Sequence, residues 1–315
     1  MIEAKEILDS VKGLLEMKNA HEDWRDYRRN ISDFITGYTI GGCNIAVLGA
    51  GQCNDIELPA LCSHFSYVTL MDEDLENMQK AVATMENGLD YLLEGKIRLI
   101  KCNFTGICDA HYLDFINAVL AILESFTGNK PLMTFIKEDV EEAAKKKLAE
   151  IYNDIRDFQI EDNFNEESLP LRFDYSLTLG VHSQLNNMFA LIWECIIRNI
   201  LGEAANDYLS GDINTNNIYK NDIEKNNNSN YNGSVFELIS ENTMFIEKKF
   251  NRFIKSITKT DSFIGLEDGN IDGAYQAELD LRTEMTDRTY VGPSFVWPFD
   301  KASGKEYKIK MYKLT

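Results

Sequence analysis

A chain of 315 residues, 44% hydrophobic and 26% charged, carries enough apolar side chain for a large core, which excludes overall disorder. Its formal net charge of −19 repels phosphate backbones and anionic lipids, so nucleic acid is disfavoured as a partner. No run approaches the roughly 20 apolar residues of a membrane span. Glu3, Lys5 and Glu6 stand where a secretory signal needs an apolar stretch, and the 6 cysteines form no Cys-x-x-Cys pair, so a cytoplasmic protein without disulfides is expected.

In chain order, Ile7, Leu8, Val11, Leu14 and Leu15 recur at helical spacing, and Trp24, Tyr27, Ile31, Phe34 and Ile35 form a second stripe. Gly41-Gly42 ends that helical region. Asn44–Leu48 has the short apolar run of a buried parallel strand; it stops at Gly49-Ala50-Gly51, and a helix is expected through Ile56 to His64. Tyr67–Met71 is a second strand, ending at Asp72-Glu73-Asp74. Leu75, Met78, Val82, Met85, Leu89 and Leu92 then alternate spacings of three and four, which predicts one helix, with Asp74 suited to its N-cap. Ile97–Lys101 is a third strand. Strands alternating with helices at this spacing predict a doubly wound, mostly parallel α/β sheet.

From about 105 to 172 the chain is too long for a plain crossover, and Leu113, Ile116, Leu120 and Leu123, then Leu148, Ile151, Ile155 and Phe158, mark a helical insertion. Tyr175–Leu179 is a fourth strand, followed by the turn Gly180-Val181-His182-Ser183. Met188–Leu201 is an apolar helix, readable as buried or as a partner interface. Residues 211–233, dominated by asparagine, predict a mobile loop. Leu238, Phe245, Phe250, Phe253 and Ile257 mark a helix over about 235–257. Ser262–Leu266 reads as a fifth strand, and Ser294–Phe299 with Tyr307–Tyr312 as a closing antiparallel hairpin.

The chemistry concentrates at Val47-Leu-Gly-Ala-Gly-Gln-Cys-Asn-Asp55. Glycines after a strand permit a tight turn and close backbone approach to a ligand, and the next helix offers free N–H groups. Asp72 ends the following strand, where a carboxylate can accept from both hydroxyls of an adenosine ribose. A dinucleotide fingerprint needs a third small residue, but that position is Asn54, and Asp55 beside it is a poor neighbour for a pyrophosphate. An acid there suits a ligand with sulfonium and ammonium groups instead.

On these residues the chain resembles the class I S-adenosylmethionine-dependent methyltransferases. The resemblance implies a Rossmann-like seven-stranded sheet over residues 43–315, ending in an antiparallel hairpin and preceded by an N-terminal helical cap over 1–42. It implies S-adenosylmethionine as cofactor and S-adenosylhomocysteine as product. Gly49, Ala50, Gly51 and Asn54 would form the glycine turn, Asp72 with Glu73 the ribose acid, and Asn103 with Phe104 the adenine contact, although Asp is common in the family where Asn103 stands. Gly180 and Gln184 would lie in the loop facing cofactor and acceptor, which lacks the Asn/Asp-Pro-Pro-Tyr signature. Tyr27 and Arg28 are candidate substrate contacts from the cap, and His182 is a candidate general base. No metal is expected, since Cys102, Cys108 and His111 match no zinc spacing. The expected acceptor is a small molecule, with a homodimer left open. Two other readings stand beside this one: a nicotinamide-dependent oxidoreductase, and a cofactor-binding protein acting without catalysis.

Overall fold

Strands β1 (Asn44–Leu48), β2 (Tyr67–Asp72), β3 (Ile97–Lys101), β4 (Phe173–Leu179), β5 (Thr258–Asp268), β6 (Tyr290–Asp300) and β7 (Lys305–Leu314) form one sheet in the order β3-β2-β1-β4-β5-β7-β6. The first five run parallel to one another, and β7 lies between β5 and β6, antiparallel to both. This is the mostly parallel sheet with an antiparallel C-terminal hairpin that the resemblance implies. The computed structural model describes residues 3–15, 17, 19–164, 172–213, 234–268, 290–301 and 304–315.

The central strands form because their side chains are apolar on both faces: Ile45, Ala46, Val47 and Leu48 of β1 are all buried, as are Val68, Leu70 and Met71 of β2. Strand order reverses where β1 lies between β2 and β4, and ligands of open α/β sheets bind in the crevice at the carboxyl ends beside such a point. Leu48 pairs with Met71 on one side and Thr178 on the other, so the turns after β1, β2 and β4 emerge on one edge.

Contacts divide the chain into two units. One comprises Met1–Glu16, Ile107–Asp157 and Asn186–Thr243; the other comprises Met17–Gly106, Phe158–Leu185 and Met244–Thr315. The residues expected to form a single cap over 1–42 are therefore apportioned to both. The first unit is helical: Asp109–Glu124 packs on Glu141–Asp154 and Ala4–Leu15, and Asn187–Leu201 packs on Ala4–Leu15. Phe189 is its aromatic centre, with Tyr112, Phe115 and Tyr152 rings at 4.8, 5.5 and 5.9 Å. Phe189, Ile192, Trp193, Ile196 and Ile197 are buried there, which accords with the buried one of the two readings of the helix Asn187–Leu201.

The second unit holds the whole sheet and the helices Arg25–Gly37, Leu58–His64, Leu75–Thr84 and Gly88–Leu93. The single helix expected over Leu75–Leu92 is two. Asn87 takes a left-handed φ of 60°, and a Cβ at Gly88 would lie 1.9 Å from the Val82 carbonyl oxygen, so the chain bends where only glycine fits. Leu89, expected in the core, is 60% exposed as a result. Leu14, Leu15 and Phe245 are likewise exposed although they fall on predicted apolar stripes. The helix Val235–Ile257 matches its predicted span. Of the asparagine-rich stretch, residues 211–213 close the helix Ala205–Ile213 rather than open a loop, and 214–233 lie outside the described residues, as do 302–303 of the hairpin turn. Among the described residues no helix is long and apolar enough to cross a membrane.

Candidate cofactor and acceptor site

The turn after β1 is built around glycine for two different reasons. Gly49 has φ +70°, and a Cβ there would lie 2.3 Å from Val181 Cγ2, so the loop after β4 packs directly on the bare backbone. Gly51 has φ +45°, and a Cβ there would meet nothing within 4 Å. Gly49 is thus demanded by conformation and by packing, whereas Gly51 faces open space. A recess lined by Val47, Gly49, Ala50, Cys53, Asp55 and Leu179 lies against the turn.

Asp72, at the carboxyl end of β2, ties this turn to the next. Its Oδ2 accepts from the Gly51 N–H at 2.9 Å and its Oδ1 from the Asp74 N–H at 2.8 Å. Burial pushes its carboxyl up, while backbone hydrogen bonds from Asp74, Gly51 and Glu73 pull it back. Each carboxylate oxygen has a second lone-pair direction, so Asp72 retains acceptor capacity for hydroxyl groups. Asp74, not Asp72, caps the helix Leu75–Thr84 by accepting from the Asn77 N–H at 2.9 Å, as its position in the sequence predicts.

Asn103 follows β3. Its Oδ1 accepts from the Thr105 and Gly106 backbone N–H groups, both at 2.8 Å, and its Nδ2 donates to Glu73 Oε1 at 3.3 Å. The amide oxygen thus holds its own loop, while the amide nitrogen joins it to the acid beside Asp72. Phe104 is buried against Phe250 and Phe253, with ring centroids 5.0 and 6.4 Å away. Asn54 is half-buried, with its Nδ2 3.5 Å from Gln52 Oε1.

The loop after β4 carries the remaining candidates. Gly180 has φ +62°, and its N–H donates to the Gly265 carbonyl at 3.0 Å. His182 is only 1% exposed; its Nε2 lies 2.8 Å from Asn251 Oδ1 and its ring meets Phe250 edge-on at 5.2 Å. Burial pushes its pKa down to about 4, against which the Asn251 bond acts weakly. An imidazole so reluctant to take a proton is a poor general base near neutral pH, whereas the sequence placed it in an open turn. Gln184 is exposed and donates to the Ser183 hydroxyl at 3.2 Å.

Arg28 and Tyr27 are both buried. The Arg28 guanidinium is buried, donating to Glu57 Oε1 at 2.8 Å and to the His21 carbonyl at 2.6 Å. The Tyr27 ring is buried and stacked on Trp297 with centroids 6.1 Å apart. Burial raises its phenol well above the ordinary value, and the charges of Asp55 and Glu267 raise it further. Asp55 itself is pushed up to about 7 by burial, partly offset by Arg28. Cys108 and His111 close a helix N-terminus, the His111 Nδ1 accepting from the Cys108 N–H at 3.1 Å.

Glu267 was not singled out by sequence reasoning. It stands at the carboxyl end of β5, buried, beside Gly180: a Cβ on Gly180 would lie 4.0 Å from its Oε1 and 3.7 Å from the Trp297 ring. The available signal was an acid placed directly after the predicted strand Ser262–Leu266, on the edge where parallel sheets bind ligands. Trp297, in the predicted closing hairpin, packs 4.9 Å from the Trp24 ring and 5.0 Å from that of Phe299.

No protein-family model matches the chain, and no curated protein matches it. Among solved structures, it is similar to the magnesium protoporphyrin IX methyltransferase of Synechocystis, at 8% identity over 95% of this chain and 86% of that one, with a TM-score of 0.40. A SAM-dependent methyltransferase from Aquifex aeolicus is similar at 10% identity over 98% of each chain, with a TM-score of 0.38. A putative RNA methyltransferase from Pyrococcus horikoshii is similar at 12% identity over 100% of this chain and 98% of that one, with a TM-score of 0.35.

Proposed function

We propose that the chain is an S-adenosylmethionine-dependent methyltransferase acting on a small-molecule acceptor. The observation that carries this reading is Asp72, held at the end of β2 and bonded to the N–H of Gly51, in a sheet whose antiparallel β7 lies between β5 and β6. An acid at that place would take the ribose hydroxyls, with Glu73 and Asn103 alongside for the rest of the nucleoside. Gly51, with open space where a side chain would be, leaves the turn accessible to the ligand. Asp55 near the recess favours a ligand carrying positive charge over a pyrophosphate, which distinguishes this reading from a nicotinamide-dependent oxidoreductase.

When bound, S-adenosylmethionine supplies a sulfonium methyl as electrophile. The chain's part is then to hold the acceptor in line with that methyl and to exclude water, which by itself lowers the barrier without an acid or base. His182, buried and reluctant to protonate, is better suited to positioning the loop after β4 through Asn251 than to moving a proton. The test is calorimetric titration with S-adenosylmethionine, S-adenosylhomocysteine and NAD. Micromolar binding of the two adenosyl compounds and not of NAD is expected; binding of NAD alone, or of none of them, would overturn the reading.

A further inference from the structure

Glu267 is 8% exposed, yet its Oε2 has no hydrogen-bond partner among the described residues. Burying an ionised carboxylate is costly unless a donor or a cation meets it. Burial raises this carboxyl, while the Ser183 hydroxyl and the charge of Lys305 lower it. Lys305 does not supply the missing donor at close range: its ammonium lies over the Phe299 and Tyr307 rings, 5.3 and 5.2 Å from their centroids.

A second orphan lies in the same corner. Trp297, 7% exposed, has its indole Nε1 buried without a partner among the described residues, and its ring and Glu267 both border Gly180. Tyr27 stacks on Trp297, and its phenol is close enough to feel both Glu267 and Asp55. Two acids and two electron-rich rings thus converge at the carboxyl edge of the sheet, beside the loop after β4. Aromatic faces and carboxylates together favour an organic cation over a neutral or anionic group. The overall charge of −19 acts in the same direction by drawing cations toward the surface.

We propose that this corner binds the methyl acceptor through an ammonium group, with Glu267 Oε2 accepting an N–H and Trp297 and Tyr27 flanking the cation. The acceptor class is accordingly a small amine, an assignment that rests on the methyltransferase reading above; where that nitrogen is itself methylated, its proton passes to Glu267 and the freed lone pair takes the sulfonium methyl as S-adenosylhomocysteine leaves. The cofactor's methionine part also bears an ammonium, so the experiment separates the two sources.

Wild-type protein is first titrated with S-adenosylhomocysteine, then, at saturation, with benzylamine and with benzyl alcohol, which share a shape and differ in charge at pH 7. Benzylammonium is expected to bind at least about tenfold tighter than the alcohol, the scale of one charge-assisted hydrogen bond. In Glu267→Gln that preference should fall to below about threefold. The wild-type comparison needs no variant, so a poorly folded Glu267→Gln would leave it intact. Titration of wild type and Glu267→Gln with S-adenosylhomocysteine and with methylthioadenosine, which lacks the ammonium, forms the other arm. If Glu267→Gln weakens S-adenosylhomocysteine alone and leaves the benzylamine preference in place, Glu267 serves the cofactor and the proposal fails. Equal binding of benzylamine and benzyl alcohol to a protein that binds S-adenosylhomocysteine overturns the amine assignment alone. Failure of wild type to bind S-adenosylhomocysteine removes the methyltransferase reading and this inference with it.

Discussion

In Asp72→Ala the Gly51 and Asp74 N–H groups lose their carboxylate partner, and any ribose hydroxyls lose theirs. A hydrogen bond to an ionised acceptor contributes about 1.5–3 kcal/mol when well shielded. Asp72 is half-buried and its bond to Asp74 lies near the surface, so screening reduces the two folding contributions to about 1–3 kcal/mol in total. The binding loss should be of the full single-bond size, about 10- to 150-fold in dissociation constant, because the carboxylate is already positioned before the ligand arrives. Urea denaturation measures the first quantity and calorimetry with S-adenosylhomocysteine the second. Asp72→Asn should fall between wild type and Ala on both, since an amide keeps one acceptor oxygen and turns an N–H toward a backbone donor. A folded Asp72→Ala protein whose affinity stays within twofold of wild type would refute the ribose assignment, whatever its stability.

Two further outcomes concern the same turn. Gly49→Ala places a Cβ at positive φ and 2.3 Å from Val181 Cγ2; the conformational penalty of about 1–2 kcal/mol and the overpacking penalty of about 1–3 kcal/mol should lower the urea midpoint clearly, and an unchanged midpoint would contradict the packing of the loop after β4 on β1. Asp55, with a folded pKa pushed up to about 7 from an unfolded value near 4, binds its proton more tightly in the native state. Its contribution to stability is therefore most favourable below pH 4 and declines as pH rises to about 7. Asp55→Asn should remove that decline and be more stable than wild type at pH 8, as read by denaturation from pH 5 to 8; a parallel pH dependence in the two proteins would show that Asp55 is not enclosed.

Strand and turn positions at the centre of the fold were legible because they depend on short-range pattern. Asn44–Leu48 matches its predicted span, since a strand apolar on both faces can only lie inside a covered sheet, and Ile97–Lys101, an edge strand with Arg98 and Lys101 exposed, matches its own. Asp74 was legible as a helix cap because the cap bond spans three residues. The glycine turn and Asp72 were legible as neighbours because parallel strands joined by a helix bring their carboxyl ends to one edge.

Side-chain environments set by distant segments were not legible. His182 looks like an open loop histidine in sequence; Asn251 and Phe250, some seventy residues later, enclose it. Arg28 looks like one of several basic residues on a helix, until Glu57 and the His21 carbonyl take its guanidinium. The break at Gly88 follows from a 1.9 Å approach to a backbone oxygen that no periodicity encodes. By itself the sequence determined the sheet and the edge at which the glycine turn and Asp72 meet, since these follow from patterns of apolar residues and from the conformations open to glycine. Only the tertiary structure decided which polar atoms are buried and unmatched among the described residues, Glu267 Oε2 foremost, because desolvation is imposed by whatever the rest of the chain packs around them.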